Sequence, residues 1–226
     1  MSFGESIKSP NTVGLWHFNG NANDDSGNGL NGTNIGTVVY SKANGKFNEG
    51  AGSFNTYYSG VRIEDNANLD LTTFTVSVWF KVNSMWGGAL VAKFKAGTSD
   101  VNYYIDTDGG SNRLRFIYSN GTQSVLTINK SLANNIWYNV IVTAGSGSIK
   151  AYINAELITQ TTYQGTISTN AHPLIIGARK SADGMPYTYD SYLDGCIDEV
   201  IIENVIWNQQ KIQKYYTNAL GRFGIL

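Results

Sequence analysis

The chain has 226 residues, 42% hydrophobic and 12% aromatic, which is enough for one sizeable core and lies in the size range of single-domain all-β sandwiches. Only 15% are charged and the formal net charge is -1, so there is no basic field to draw nucleic acid or an acidic membrane surface, and partners are expected to be neutral and polar. The lone cysteine, Cys196, excludes an internal disulfide and a cysteine-based zinc cluster; its surroundings, "LDGCIDEVII", mark it as a buried thiol.

The opening "MSFGESIKSPNTVG" has no apolar signal core, and residues 1–12 read as an N-terminal arm ahead of one domain over 13–226. No segment approaches the ~18 apolar residues that span a bilayer, so a soluble chain without membrane insertion is expected. A role outside the cell then requires an export signal beyond this sequence, or another route such as assembly into a virus particle.

From there the pattern is period 2 with turns between. "VGLWHF" (13–18) leads to "FTVSVWFKV" (74–82), whose Phe74, Val76, Val78, Phe80 and Val82 share one face and Thr75, Ser77, Trp79 and Lys81 the other. Further strands are expected at "GALVAKF" (88–94), "VNYYID" (101–106), "RLRFIYS" (113–119), "SVLTI" (124–128), "IWYNVIVTA" (136–144), "SIKAYINAELI" (148–158), "PLIIGA" (173–178) and "CIDEVIIENVI" (196–206). One helix is convincing, "NQQKIQKYYTNAL", capped by Asn208 with Ile212, Tyr215 and Tyr216 on one face. Many short strands and one terminal helix predict an all-β antiparallel two-sheet sandwich of jelly-roll type.

The ordered set "GLWHFNGNANDDSGNGLNGT", "GAGSFN", "FTVSVWFK", "IWYNVIVTA", "IKAYINAEL", "PLIIGARK" and "YLDGCIDEVIIENVIWNQQKIQKYY" resembles the laminin-G-like branch of the concanavalin A-like lectin and glucanase superfamily, over about Val13 to Tyr216. The resemblance implies a two-sheet jelly roll with one concave face, a structural calcium near the chain ends, and usually glycan or ligand binding rather than catalysis.

The loop "FNGNANDDSGNG" (18–29) raises the metal question. It is not an EF-hand, because twelve positions from Asn19 or Asn21 end on Leu30 or Gly32, where a bidentate glutamate is required. Calcium accepts six to eight oxygens in forgiving geometry. The resemblance adds Asp198 of "IDEVII", matching an aspartate that relatives contribute from the last strand. Asn19, Asn21, Asp24, Asp25 and Asp198 are thus the candidate Ca²⁺ set, with Asn19 standing where the family often has Asp. The alternative is a metal-free loop bonded to its own backbone, with Asp198 paired to a lysine or a backbone N–H.

Catalysis finds little support. The E-x-D-x-x-E pattern of the glucanase branch is absent, and in "IDEVIIE" the adjacent acids alternate to opposite faces. A pair from distant strands, such as Asp106 with Glu64, is left for the structure to test. His17, flanked by Trp16 and Phe18, reads as a structural group, and no phosphate loop or nucleophile elbow is present.

Binding fits the 14 Tyr and 5 Trp better, since planar rings stack on the apolar faces of sugars. The candidate ligand-binding residues are Trp86 in "NSMWGG", Tyr57 and Tyr58 in "NTYYSG", and Tyr187, Tyr189 and Tyr192 in "SADGMPYTYDSY", with Trp79 and Arg115 as further candidates to line a concave sheet. The reading is a non-catalytic carbohydrate-binding or adhesion module for a glycan or polysaccharide, extracellular or on a virion surface. The alternatives are a virion (phage tail) or cell-surface assembly module with protein neighbours, and an atypical glycoside hydrolase.

Overall fold

The computed structural model describes residues 8–47, 49–54, 58–184 and 188–221. In chain order its strands are β1 (Thr12–Trp16), β2 (Thr33–Ile35), β3 (Val39–Tyr40), β4 (Gly52–Ser53), β5 (Gly60–Ile63), β6 (Phe74–Val82), β7 (Ala89–Phe94), β8 (Val101–Asp108), β9 (Arg113–Ser119), β10 (Gln123–Ile128), β11 (Tyr138–Gly145), β12 (Ser148–Ile153), β13 (Glu156–Thr162), β14 (Leu174–Ile176), β15 (Arg179–Lys180), β16 (Tyr189–Asp190) and β17 (Gly195–Glu203), and a helix α1 (Gln209–Gly221) follows. The first strand begins at Thr12, one residue earlier than the sequence suggests.

Two antiparallel sheets form a jelly-roll sandwich. The first runs β13-β12-β11-β6-β17-β4-β3, with β1 also on β17; the second runs β10-β9-β8-β7-β14-β5-β2. Strand β6 shows why they pack: Phe74, Val76, Val78, Phe80 and Val82 all enter the core, each 0–1% exposed. There Phe74 meets Tyr103 and Phe116 of the second sheet at ring separations of 5.2 and 6.3 Å. Each such side chain favours the fold by roughly 1.5–3 kcal/mol over exposure.

The outward residue Trp79 is also buried, because α1 lies over that face. Asn208 caps the helix by accepting from the Lys211 amide at 2.8 Å, and Ile212, Tyr215 and Ala219 turn inward. Tyr216 stacks on Trp79 at 5.5 Å, and the Trp79 indole N–H donates to the Tyr215 hydroxyl at 3.1 Å. Trp79 therefore belongs to the helix-covered face of the first sheet, whereas Arg115 lies on the outer face of the second, so the two do not line one face together.

The expected single strand over 148–158 is instead the hairpin β12–β13. Asn154 and Ala155 form its turn with φ of 52° and 64°, the left-handed pair of a type I′ turn. Alanine is a poor occupant of that region, so the sequence lacked the usual Asn-Gly signal. Ala155→Gly is expected to raise stability by about 0.5 kcal/mol, read as a higher urea midpoint; a lower midpoint would show that the alanine methyl matters more than the backbone strain.

Candidate ligand-binding site

The Asn- and Asp-rich loop is bonded to protein, residue by residue. Asp24 Oδ1 accepts from the Leu15 and Ser26 amides at 3.0 and 2.9 Å, and its Oδ2 accepts from the Leu30 amide and Ser26 Oγ at 2.9 and 2.7 Å. Asn28 Nδ2 donates to the carbonyls of Thr12 and Val13, and the Asp25 amide to that of Leu15. Strand β1 pairs with β17 on one edge, so the loop satisfies the backbone groups of its other edge. Asn21 Oδ1 accepts from the Asn23 amide, Asn19 Nδ2 donates to Glu49, and the Asp25 side chain is half exposed.

At the far end of the expected set, Asp198 is 1% exposed and accepts from the Lys46 amide at 2.9 Å. The amides of Phe47 and Glu199 also point at it; burial and the neighbouring Glu199 charge push its pKa well up. Donors surround this carboxylate, where a calcium ion would want further acceptors. Among the described residues no three His, Cys, Asp or Glu side chains are gathered to hold a metal. The set Asn19, Asn21, Asp24, Asp25 and Asp198 thus does not fit one Ca²⁺, because Asp24 is saturated by protein donors and the three aspartates do not converge. Asp24 and Asn28 are bonded to the loop's own backbone and to β1, and Asp198 to a backbone N–H.

Glu199 departs from alternation. A β-bulge follows Asp198, with Glu199 at φ 51°, so Ile197, Val200 and Ile202 all face the core while neither acid does. Glu199 instead meets His17 Nδ1 at 2.7 Å. Burial alone would lower the His17 pKa, but the Glu199 bond and the charges of Glu199, Asp25 and Glu49 raise it. His17 is thus buried and bonded to Glu199.

Among the described aromatic candidates, Tyr58, Tyr189 and Tyr192 come together. Tyr58 and Tyr192 touch edge to face at 5.3 Å, and the Tyr192 hydroxyl donates to the Tyr189 carbonyl. Tyr57 and Tyr187 lie outside the described residues. The β6–β7 loop, residues 83–88, is fixed on both sides: Asn83 bonds Asp194 through backbone and side chain, the Ala89 amide donates to Ser191, Gly88 exchanges bonds with Thr107, and the Gly110 amide donates to Met85. Gly88 passes so close to Leu193 that a Cβ would lie 2.8 Å from its Cα. Met85 is buried as a plug, and the next residue, Trp86, stands 85% exposed.

Beside this loop the outer face of the second sheet carries charge. On β8, Tyr104, Asp106 and Asp108 share that face; opposite them on β9 stand Arg115 and Arg113 in register. Arg115 grips Asp106 with two bonds, 3.0 Å from Nε and 2.6 Å from Nη2, and Arg113 bonds Asp108 at 2.8 Å. The small β15–β16 sheet brings Arg179 over Tyr104 and Phe94, bonded to Asp190 at 2.6 Å. Burial raises the Asp106 pKa against the pull of Arg115, and the Asp106 bond holds Arg115 protonated more firmly than usual. The sequence reading singles out Arg115 and, with Glu64, Asp106, but not the cross-strand pairing or Tyr104, Asp108, Arg113 and Arg179, although alternation in "VNYYIDTD" and "RLRFIYS" places the β8 and β9 residues on shared faces.

Asp106 and Glu64 do not form a hydrolytic pair. They occupy β8 and the end of β5, with β7 and β14 between, and three strand spacings put them about 14 Å apart, beyond the roughly 9.5 Å limit for glycosidase carboxyls. Each is also bound by its own arginine, Asp106 by Arg115 and Glu64 by Arg62.

A laminin-G family model of the concanavalin A-like lectin/glucanases superfamily matches residues 55–213, and the chain belongs to that superfamily. No curated protein sequence matches it. Among solved structures it is similar to domain 4 of AbnA, a GH43 extracellular arabinanase from Geobacillus stearothermophilus, in complex with arabinotriose: TM-score 0.72, 20% identity, 91% of this chain and 98% of that one. It is also similar to the binding domain of botulinum neurotoxin DC in complex with rat synaptotagmin II, with TM-score 0.71, 15% identity, 92% of this chain and 52% of that one. A third is botulinum neurotoxin type C, whose cell entry is described as dependent on interaction with two ganglioside molecules: TM-score 0.70, 18% identity, 92% of this chain and 51% of that one. The chain thus spans about half the length of these toxin chains. At these identities the likeness establishes the shared fold.

The hydrogen bonds of Asp24 lead to a direct expectation. Asp24→Asn replaces one acceptor oxygen by a donor facing two donors, and should cost about 3 kcal/mol, equally in calcium and in chelator. A loss of stability in calcium buffer that vanishes under chelation would instead show that Asp24 acts through a metal.

Proposed function

We propose that the chain is a non-catalytic carbohydrate-binding or adhesion module whose ligand lies against Trp86 and the Tyr58–Tyr192 edge. The observation that carries this reading is the presentation of Trp86. A tryptophan left 85% exposed loses all the benefit of burial, yet its loop is anchored to residues 191–194 on one side and to the β8–β9 turn on the other. A rigid, outward aromatic plane beside polar side chains is what the apolar face of a sugar ring requires.

Two neighbours in fold support the reading, one crystallised with arabinotriose and one described as interacting with gangliosides. Such a module works where glycans are exposed, at a cell exterior or a virion surface. Among the described residues no helix is long and apolar enough to cross a membrane. Protein binding is the second reading, favoured by the neighbour held in complex with synaptotagmin.

On a glycan and polysaccharide array the chain should bind a restricted set of sugars with micromolar to millimolar affinity, and Trp86→Ala should weaken binding at least about tenfold while leaving the melting temperature unchanged. A folded chain that binds no glycan would overturn the reading in favour of a protein partner. Binding that survives Trp86→Ala would place the site elsewhere.

A further inference from the structure

The four arginines among the described residues, Arg62, Arg113, Arg115 and Arg179, all lie at the outer face of the second sheet, and each is paired with a carboxylate. The pairs nearest Trp86 form a ladder. Asp106 and Asp108 alternate along β8, Arg115 and Arg113 face them on β9, and Arg115 Nη1 also reaches to 3.6 Å from Asp108. Gly109 and Gly110 follow Asp108 directly and carry the turn on which the Trp86 loop rests. The side chains of Arg113 and Arg115 are about one-third exposed and that of Asp108 is 18% exposed, whereas Asp106 is buried beneath Arg115, so a ligand meets the ladder at its two arginines and at Asp108.

Beneath it lies the buried Tyr104 hydroxyl, beside Asp106, Ser191 and Arg179.

From this arrangement we infer that the Arg113–Asp108 and Arg115–Asp106 ladder is a subsite for an uncharged sugar, and that the module selects neutral over acidic polysaccharides. This deepens the glycan-binding reading and rests on it. A guanidinium has five N–H groups, and each of these arginines keeps some of them free after binding its partner; the carboxylates likewise keep lone pairs. A pair of adjacent sugar hydroxyls can accept from Arg113 and donate to Asp108 at once, with Arg115 offering a further donor beside them, leaving no formal charge unpaired. A uronate or sulfate finds no unneutralised arginine here, because Arg113, Arg115 and Arg179 are each already paired with an aspartate, and it would have to displace one of those carboxylates to be paired itself.

The test uses the full chain in isothermal titration against neutral probes (arabinan, xyloglucan, mannan) and acidic probes (polygalacturonate, chondroitin sulfate), at 50 and 500 mM NaCl as chosen conditions. The expected result is binding of a neutral probe whose affinity changes less than about twofold with salt, since no counterions are displaced. Arg113→Gln should weaken that binding about tenfold. Asp108→Asn frees a guanidinium, and should gain affinity for polygalacturonate that fades at 500 mM NaCl; it also serves if the first variant does not fold.

Preferential, salt-sensitive binding of an acidic probe by the wild-type chain would overturn the inference and leave the glycan-binding reading standing. Neutral binding unchanged in the folded variants would remove the ladder from the site. Failure to bind any polysaccharide would overturn both.

Discussion

A two-sheet sandwich has four faces, and only two of them bury each other. What covers the other two decides what the molecule can do. On the first sheet the outer face is closed by α1, where Trp79, Trp207, Ile212 and Tyr215 make a second apolar cluster and Glu203, fully buried, accepts from Trp207, Lys211 and Ser9. Beside the helix on that face a cavity of about 320 Å³ is lined by Lys8, Ser9, Trp207, Lys211, Lys214 and Tyr215. On the second sheet the cover is smaller. Residues around β15 and β16 close over Phe94, Tyr104 and Ile117, and the strip along β8 and β9 toward the Trp86 loop is left to charged side chains. The proposed binding face is this strip, which the small sheet leaves uncovered.

That open strip stays stable because its charges are internally balanced. A partly buried arginine or aspartate without a partner is expensive, whereas the cross-strand pairs of β8 and β9 satisfy each other in the register the hairpin already imposes. The same economy closes the sheet edge at β1. There the loop supplies side-chain acceptors and donors where a neighbouring strand would have supplied backbone ones, and Asp24 alone meets three amides and a hydroxyl. Both arrangements suit a preorganised binding surface. Neither gathers the paired, unneutralised carboxyls that hydrolysis would use.

Much of the fold was legible because apolar alternation is a direct record of burial. Strand β6, the capped helix and the order of the strands are readable one segment at a time. Less legible were features that depend on which strand lies opposite which. The charged ladder needed the β8–β9 register, the turn at Asn154 and Ala155 lacked a glycine, and the bulge at Glu199 cannot be seen in a two-residue period. The N-terminal loop shows the deeper ambiguity, since an aspartate that binds calcium and one that binds backbone amides occupy the same kind of sequence. Only the positions of the Leu15, Ser26 and Leu30 amides separate the two. The aromatic candidates were found through their loops, and the structure joins Tyr58 to Tyr192 while setting Trp79 beneath the helix.

The central claim is that one sheet face, ending at Trp86, meets the sugar. Its most direct test is a nitrogen-15 NMR titration with a neutral oligosaccharide such as arabinotriose or a xyloglucan fragment, following the tryptophan indole and arginine Nε signals. The account predicts that Trp86, Arg113 and Arg115 shift together with one saturation curve while Trp79 and Trp207 stay fixed. Shifts confined to Trp207 and the residues around α1, with Trp86 unmoved, would contradict it.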